Sequence, residues 1–150
     1  MYKKILVPLD GSDTAERGLL EAMRMASELK ATLVLLHVID DFPMLVEMAS
    51  VQAYEETMAH LRSVGQRLLD GAQKSAEESD VAAETRLREI TRERVGQAIV
   101  EEAGAAGCDL IVMGTHGRRG FNRVMMGSDA EFVARASTVP VLLVRSVSGT

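Results

Sequence analysis

One cysteine among 150 residues, Cys108, leaves no partner for an intrachain disulfide, so nothing in the chain asks for an oxidising compartment. It stands just ahead of an apolar run and reads as a small core or boundary residue rather than a reactive thiol. No apolar stretch approaches the ~18 residues that a membrane span requires. Lys3-Lys4 precedes an apolar run that stops at Asp10, too short for the hydrophobic region of a secretory leader. The cytoplasm is the expected address. Acidic side chains number 22 against 17 basic ones, a net charge of −5. The chain thus lacks the overall basic character that nucleic-acid binding needs. No linker, low-complexity tract or internal repeat divides it, so one domain over residues 1–150 is expected. A chain of this length buries roughly 70% of its unfolded surface.

Several chemistries are missing as well. There is no Gly-Lys-Ser/Thr, which excludes a P-loop NTPase. Gly114, Gly117 and Gly120 are spaced by three and do not match the Gly-x-Gly-x-x-Gly dinucleotide fingerprint. No His-Cys pair, Ser-His-Asp arrangement or metal-ligand cluster assembles from the spacing.

What is present alternates regularly. Residues 5–9, 32–38, 110–113 and 139–144 are apolar runs suited to strands covered on both faces. A fifth segment, 81–87, alternates only in part and reads as an edge strand. Helical patterns fall at 13–29, 50–78, 91–106 and 129–137. The order β-α-β-α-β-α-β-α-β predicts a doubly wound parallel sheet. Asp13 with Glu16, and Ser128 with Glu131, read as helix starts, the second as a capping box. Val51, Tyr54, Met58, Leu61, Val64 and Leu68 form a seam that should pack on the sheet or on a partner subunit. Residues 40–48 are the expected mobile loop. His37 reads as a satisfied core histidine and His60 as a surface residue.

The most informative stretch runs from Gly114 to Ser128, where a buried strand leads into a glycine-rich, basic loop and then a helix. Glycines admit an anion to the backbone, helix-start amides point at it, and arginines add charge. That is a phosphate cradle. In open α/β sheets ligands sit at the carboxyl ends of strands, where the strand order reverses. Asp10-Gly11-Ser12 ends the first strand, Val38 the second and Gly114 the fourth. Their convergence suits a nucleotide, with the base against Val38, the ribose near Asp10 and phosphates over residues 117–127.

Three separated motifs resemble the universal stress protein family: Gly114-x2-Gly117-x9-Gly127-Ser128, Val-Pro-Leu-Asp-Gly-Ser at 7–12, and Val-Pro-Val-Leu-Leu-Val-Arg at 139–145. The resemblance spans nearly the whole chain. It implies a five-stranded parallel sheet of order 3-2-1-4-5 with helices on both faces, Rossmann-like and similar to the adenine nucleotide alpha hydrolases. It also implies binding of ATP or AMP. Carried over by position, Pro8 and Asp10 would flank the adenosine and Val38 would meet the adenine through its backbone. Gly114, Thr115, His116, Gly117, Arg118, Arg119 and Gly120 would wrap the ribose and phosphates. Ser128, Asp129 and Ala130, just after Gly127, would hold the phosphate end.

Asp129 departs from the small or apolar residue common at that place in the family. A carboxylate in a first helical turn gains ~0.3–1 kcal/mol from the dipole, yet repels a nearby phosphate unless Mg²⁺ bridges them. His116 either touches the ligand or is merely tolerated by the loop, and Arg118 and Arg119 are either phosphate contacts or a solvated pair. The leading expectation is a nucleotide-responsive regulatory module in the stress response, with an unidentified client protein. A homodimer through the strand at 139–145 is also implied. The alternatives are a nucleotide-free dimeric interaction protein, or a weak ATPase or autophosphorylating protein.

Overall fold

Continuous apolar runs form a central parallel sheet in the computed structural model, which describes residues 1–47, 50–115 and 126–145. The elements in chain order are β1 (Lys4–Pro8), α1 (Asp13–Leu29), β2 (Thr32–Asp40), α2 (Phe42–Glu47) and α3 (Val51–Glu78). There follow β3 (Ala83–Ile90), α4 (Val95–Ala105), β4 (Leu110–Gly114), α5 (Ser128–Ala136) and β5 (Val141–Val144). The sheet order is β3-β2-β1-β4-β5, every pairing parallel. This is the expected doubly wound architecture. The strand order reverses between β1 and β4, so the crevice lies above their carboxyl ends.

Alternate residues of each strand feed two cores. On one face Ile5, Val7, Leu33, Leu35 and Val112 meet α1 and α3 through Leu19, Ala22, Ala26, Leu69, Ala72 and Ala76. On the other, Leu6, Val34, Leu36 and Ile111 meet α4 and α5 through Ile99, Ala103, Ala130 and Val133. Each fully buried aliphatic side chain contributes about 1.5–3 kcal/mol, and the alanines let the helices lie close to the strands.

Four details differ from the sequence reading. β2 continues to Asp40 and β3 to Ile90, in register Asp40↔Ile90. Arg88 and Glu89 tolerate the strand because ionic partners on α3 and α4 meet them. Residues 91–94 are therefore not helical and α4 begins at Val95. Residues 42–47, expected in a mobile loop, form α2, whose first turn is anchored by the amides of Met44 and Leu45 donating to the Asp41 carbonyl. The α3 seam is also displaced. Met58, Gly65, Leu69, Ala72 and Ala76 are buried, whereas Val51 and Val64 are exposed. At Gly65 α3 passes so close to the sheet that an added Cβ would stand 2.6 Å from Cδ2 of His37.

Helix starts also differ in kind. Ser12, not Asp13, caps α1 and accepts a hydrogen bond from the Ala15 amide at 3.2 Å. Asp13 and Glu16 occupy the first turn, where their charge suits the dipole. The expected Ser128 capping box does not form. Gly127 is the cap, Ser128 is already helical, and Glu131 pairs forward with Arg135 at 2.6 Å. Cys108 is buried, and desolvation pushes its thiol up to about 11, so it stays protonated at neutral pH. Among the described residues no helix is long and apolar enough to cross a membrane.

Candidate functional site at the carboxyl edge of the sheet

Glycine sets how closely the two strands at the reversal point can be approached. A Cβ added to Gly114 would stand 2.7 Å from the Thr14 carbonyl oxygen, and one added to Gly18 would stand 3.2 Å from the Gly114 amide nitrogen. With no side chain at either position, the first turns of α1 lie directly on the end of β4. Asp10 is thereby brought to the same edge as Gly114.

The β1 end is fixed by a run of short-range bonds. The Leu9 amide donates to the Leu36 carbonyl at 2.7 Å. The Leu9 carbonyl lies 2.7 Å from Nδ1 of His37. Asp10 Oδ1 accepts from the Ser12 amide at 2.9 Å, and Gly11 takes the left-handed conformation with φ 84°. This Asx turn needs a glycine at its centre and hands the chain to the Ser12 cap.

The β4 end is fixed differently. Thr115, 7% exposed, donates its amide to the Val144 carbonyl at 3.0 Å and accepts from the Gly127 amide at 2.7 Å. The chain that leaves after Thr115 thus returns to the same peptide. The return places the start of α5 beside Gly114, and the amides of a helix's first turn have no intrahelical acceptors. Gly127 is half-buried, Ser128 and Asp129 are exposed, and Ala130 faces the core.

The structure therefore brings Pro8, Asp10, Gly114, Thr115, Gly127, Ser128, Asp129 and Ala130 to one edge. Val38, half-buried on β2, stands on the core face shared with α4 and α5. His116, Gly117, Arg118, Arg119 and Gly120 lie outside the described residues. What the arrangement offers chemically is a half-buried carboxylate, an apolar wall and a helix start. The first can accept from hydroxyls, the second can cover a flat ring, and the third can receive an anion.

A second cluster on this edge was not foreseen. Asp41, 8% exposed, accepts from the Tyr54 hydroxyl and from Thr91 Oγ1, the latter at 2.7 Å. These donors hold the Asp41 carboxyl below its ordinary value, and the bond to that carboxylate raises the Tyr54 phenol. The cluster joins the end of β2, the start of α3 and the end of β3. Beside it, Arg62 pairs with both oxygens of Glu89 at 2.8 Å. Arg88 reaches Glu93, Glu101 and Glu102. Each partner lies more than four residues away in sequence, and no local pattern could have announced it.

The model of the Universal stress protein family matches residues 1–145. MJ0531, a universal stress protein of Methanocaldococcus jannaschii, is 36% identical over 145 residues, covering 97% of this chain and 83% of its own. The solved structure of MJ0577, from the same organism, is similar with a TM-score of 0.87 at 30% identity and covers 99% of both chains. A universal stress protein solved in complex with cAMP has a TM-score of 0.65 at 26% identity, covering 96% of this chain and 97% of its own. The sheet order, the three separated motifs and matches over nearly the whole length agree: the chain belongs to the universal stress protein family.

Proposed function

We propose that this chain binds an adenine nucleotide, ATP or AMP, and acts as a nucleotide-responsive regulatory module in the stress response of the cytoplasm. One universal stress protein domain over residues 1–150 carries the activity. The observation that carries the reading is the Thr115–Gly127 bond. It brings Gly127, at the start of α5, back to Thr115 at the end of β4. The complex of a related universal stress protein with cAMP supports the same ligand class.

In this reading Val38 and Pro8 take the base side, Asp10 accepts from the ribose hydroxyls, and Gly114 to Gly120 wrap the ribose and phosphates. The first-turn amides of α5 at Ser128, Asp129 and Ala130 receive the phosphate end. Asp129 makes tight triphosphate binding depend on Mg²⁺, because its carboxylate shares that end with the phosphate. Occupancy orders the surface around residues 114–127 for a client protein.

Isothermal titration with ATP and with AMP, each with and without Mg²⁺, tests the proposal. Binding by the wild-type chain, a clear loss in Asp10→Ala and in Gly117→Val, and a weaker Mg²⁺ requirement in Asp129→Ala are the expected results. A wild-type chain that takes neither nucleotide overturns it.

The protein further works as a homodimer. β5 is short, Leu142 is 37% exposed, and among the described residues the strand pairs with β4 alone. Antiparallel pairing with a second copy covers its other edge with two-fold symmetry. Sedimentation at micromolar concentration should give twice the mass of the chain, shifting towards one chain in Leu142→Glu. A wild-type monomer would remove this part of the reading.

A further inference from the structure

Leu9 is buried and follows the last paired residue of β1, so its carbonyl has left the ladder where water cannot reach it freely. Its bond comes from a side chain, Nδ1 of His37 at 2.7 Å. A carbonyl only accepts, so Nδ1 carries the hydrogen and this tautomer is the one in place. His37 stands on β2 opposite Leu87 of β3, on the face that α3 covers. Its ring is held from above by the missing side chain of Gly65, where an added Cβ would stand 2.6 Å from Cδ2 and 3.1 Å from Nε2. The close passage of α3 leaves the ring one location, with Nδ1 directed at Leu9.

The consequence falls on the next residue. The peptide whose carbonyl His37 holds is the one that leads into Asp10, and Asp10 is tied in turn to the Ser12 amide. We propose that His37 is a positioning residue of the nucleotide site: by holding the Leu9 carbonyl it fixes the Asp10 turn from outside the ligand's reach. The inference rests on the nucleotide reading above and adds to it a residue that does not touch the guest. Gly65, one helix further out, belongs to the same device.

Three replacements of His37 separate this role from simple packing. Asparagine places an amide donor near the position of Nδ1, glutamine carries its donor further out, and leucine has none. All three lose the ring against Gly65 and should lower the unfolding midpoint in urea, the leucine and glutamine variants further because they leave the buried Leu9 carbonyl without its donor. Affinity for ATP and AMP should divide them. His37→Leu and His37→Gln weaken binding about tenfold, the worth of one buried hydrogen bond, while His37→Asn stays within about threefold of wild type. Hydrogen exchange at the Gly11 and Ser12 amides should speed up in the leucine variant and not in the asparagine variant.

Equal nucleotide affinity in wild type and His37→Leu overturns the proposal. So does a loss of affinity in His37→Asn as large as in His37→Leu. Should the wild-type chain take no nucleotide, the functional reading falls. The exchange measurement then decides whether His37 fixes the turn: unchanged Gly11 and Ser12 exchange in His37→Leu rejects it. Should His37→Leu prove unfolded, Gly65→Ala gives the same test from the other side of the ring, and unchanged affinity there counts against the device.

Discussion

The carboxyl edge of this sheet is built in two ways. At the β1–β4 reversal most joints are backbone amides, carbonyls and glycines: Leu9 to Leu36, Thr115 to Val144, Gly127 to Thr115, and Gly18 against Gly114, with His37 and Asp10 the side chains among them. At the β2–β3 end they are side chains: Asp41 with Tyr54 and Thr91, Arg62 with Glu89, and Arg88 with three glutamates. A backbone joint occupies little room and leaves the space above it open. A side-chain joint fills its own space and shuts the edge. A crevice meant to admit a guest is served by the first construction, and a rigid margin by the second.

The comparison can be broken most severely at Gly114. Gly114→Ala drives a Cβ onto the Thr14 backbone, which cannot rotate away as a side chain would. A loss of about 1–3 kcal/mol is expected in urea denaturation, the usual cost of overpacking, with more for Gly114→Val. A variant as stable as wild type would show that α1 and β4 separate easily.

At the other end Asp41→Ala leaves Tyr54 and Thr91 without their shared acceptor and should cost about 1–3 kcal/mol. Its pH dependence sharpens the point. Tyr54 and Thr91 hold the carboxyl below the ordinary 3.8, so the ionised form is the one that folding favours. That contribution is complete above about pH 4 and is lost as the pH falls through the lowered folded value. Asp41→Asn should therefore flatten the acid limb of the stability curve below pH 4. An unchanged limb would mean the network is not closed in solution.

The smallest effects separate two serines. Ser12→Ala removes a helix cap and should cost about 1 kcal/mol. Ser128→Ala, at a helical position rather than a cap, should stay within about 0.5 kcal/mol. Equal losses would restore Ser128 as a cap. Thermal unfolding of both variants, run together, gives the answer.

These two constructions also explain what could be read from the chain. Strand runs, helix periods and the order of elements are local patterns, and they led directly to a doubly wound parallel sheet, whereas the 3-2-1-4-5 order came from the family resemblance. Gly114 and the Asp10-Gly11-Ser12 turn were legible for the same reason, since a backbone joint needs particular residue types at fixed spacing. The side-chain joints were not. Asp41 and Thr91 are 50 residues apart, and only the pairing of β2 with β3 brings them together. The α2 helix was missed because Asp41 and Pro43 resemble loop composition, although proline is well placed in a first helical turn. Ser128 misled because Ser-x-x-Glu fits a capping box equally well one residue late. What fixes the cap is the bond from Gly127 to Thr115, and that bond depends on the strand beneath it.

The bond from Gly127 to Thr115 also ties the end of β4 to the start of α5 directly, across the residues that separate them in sequence. Transplanting the corresponding stretch from a relative should retune which guest is accepted while the unfolding temperature of the scaffold barely moves.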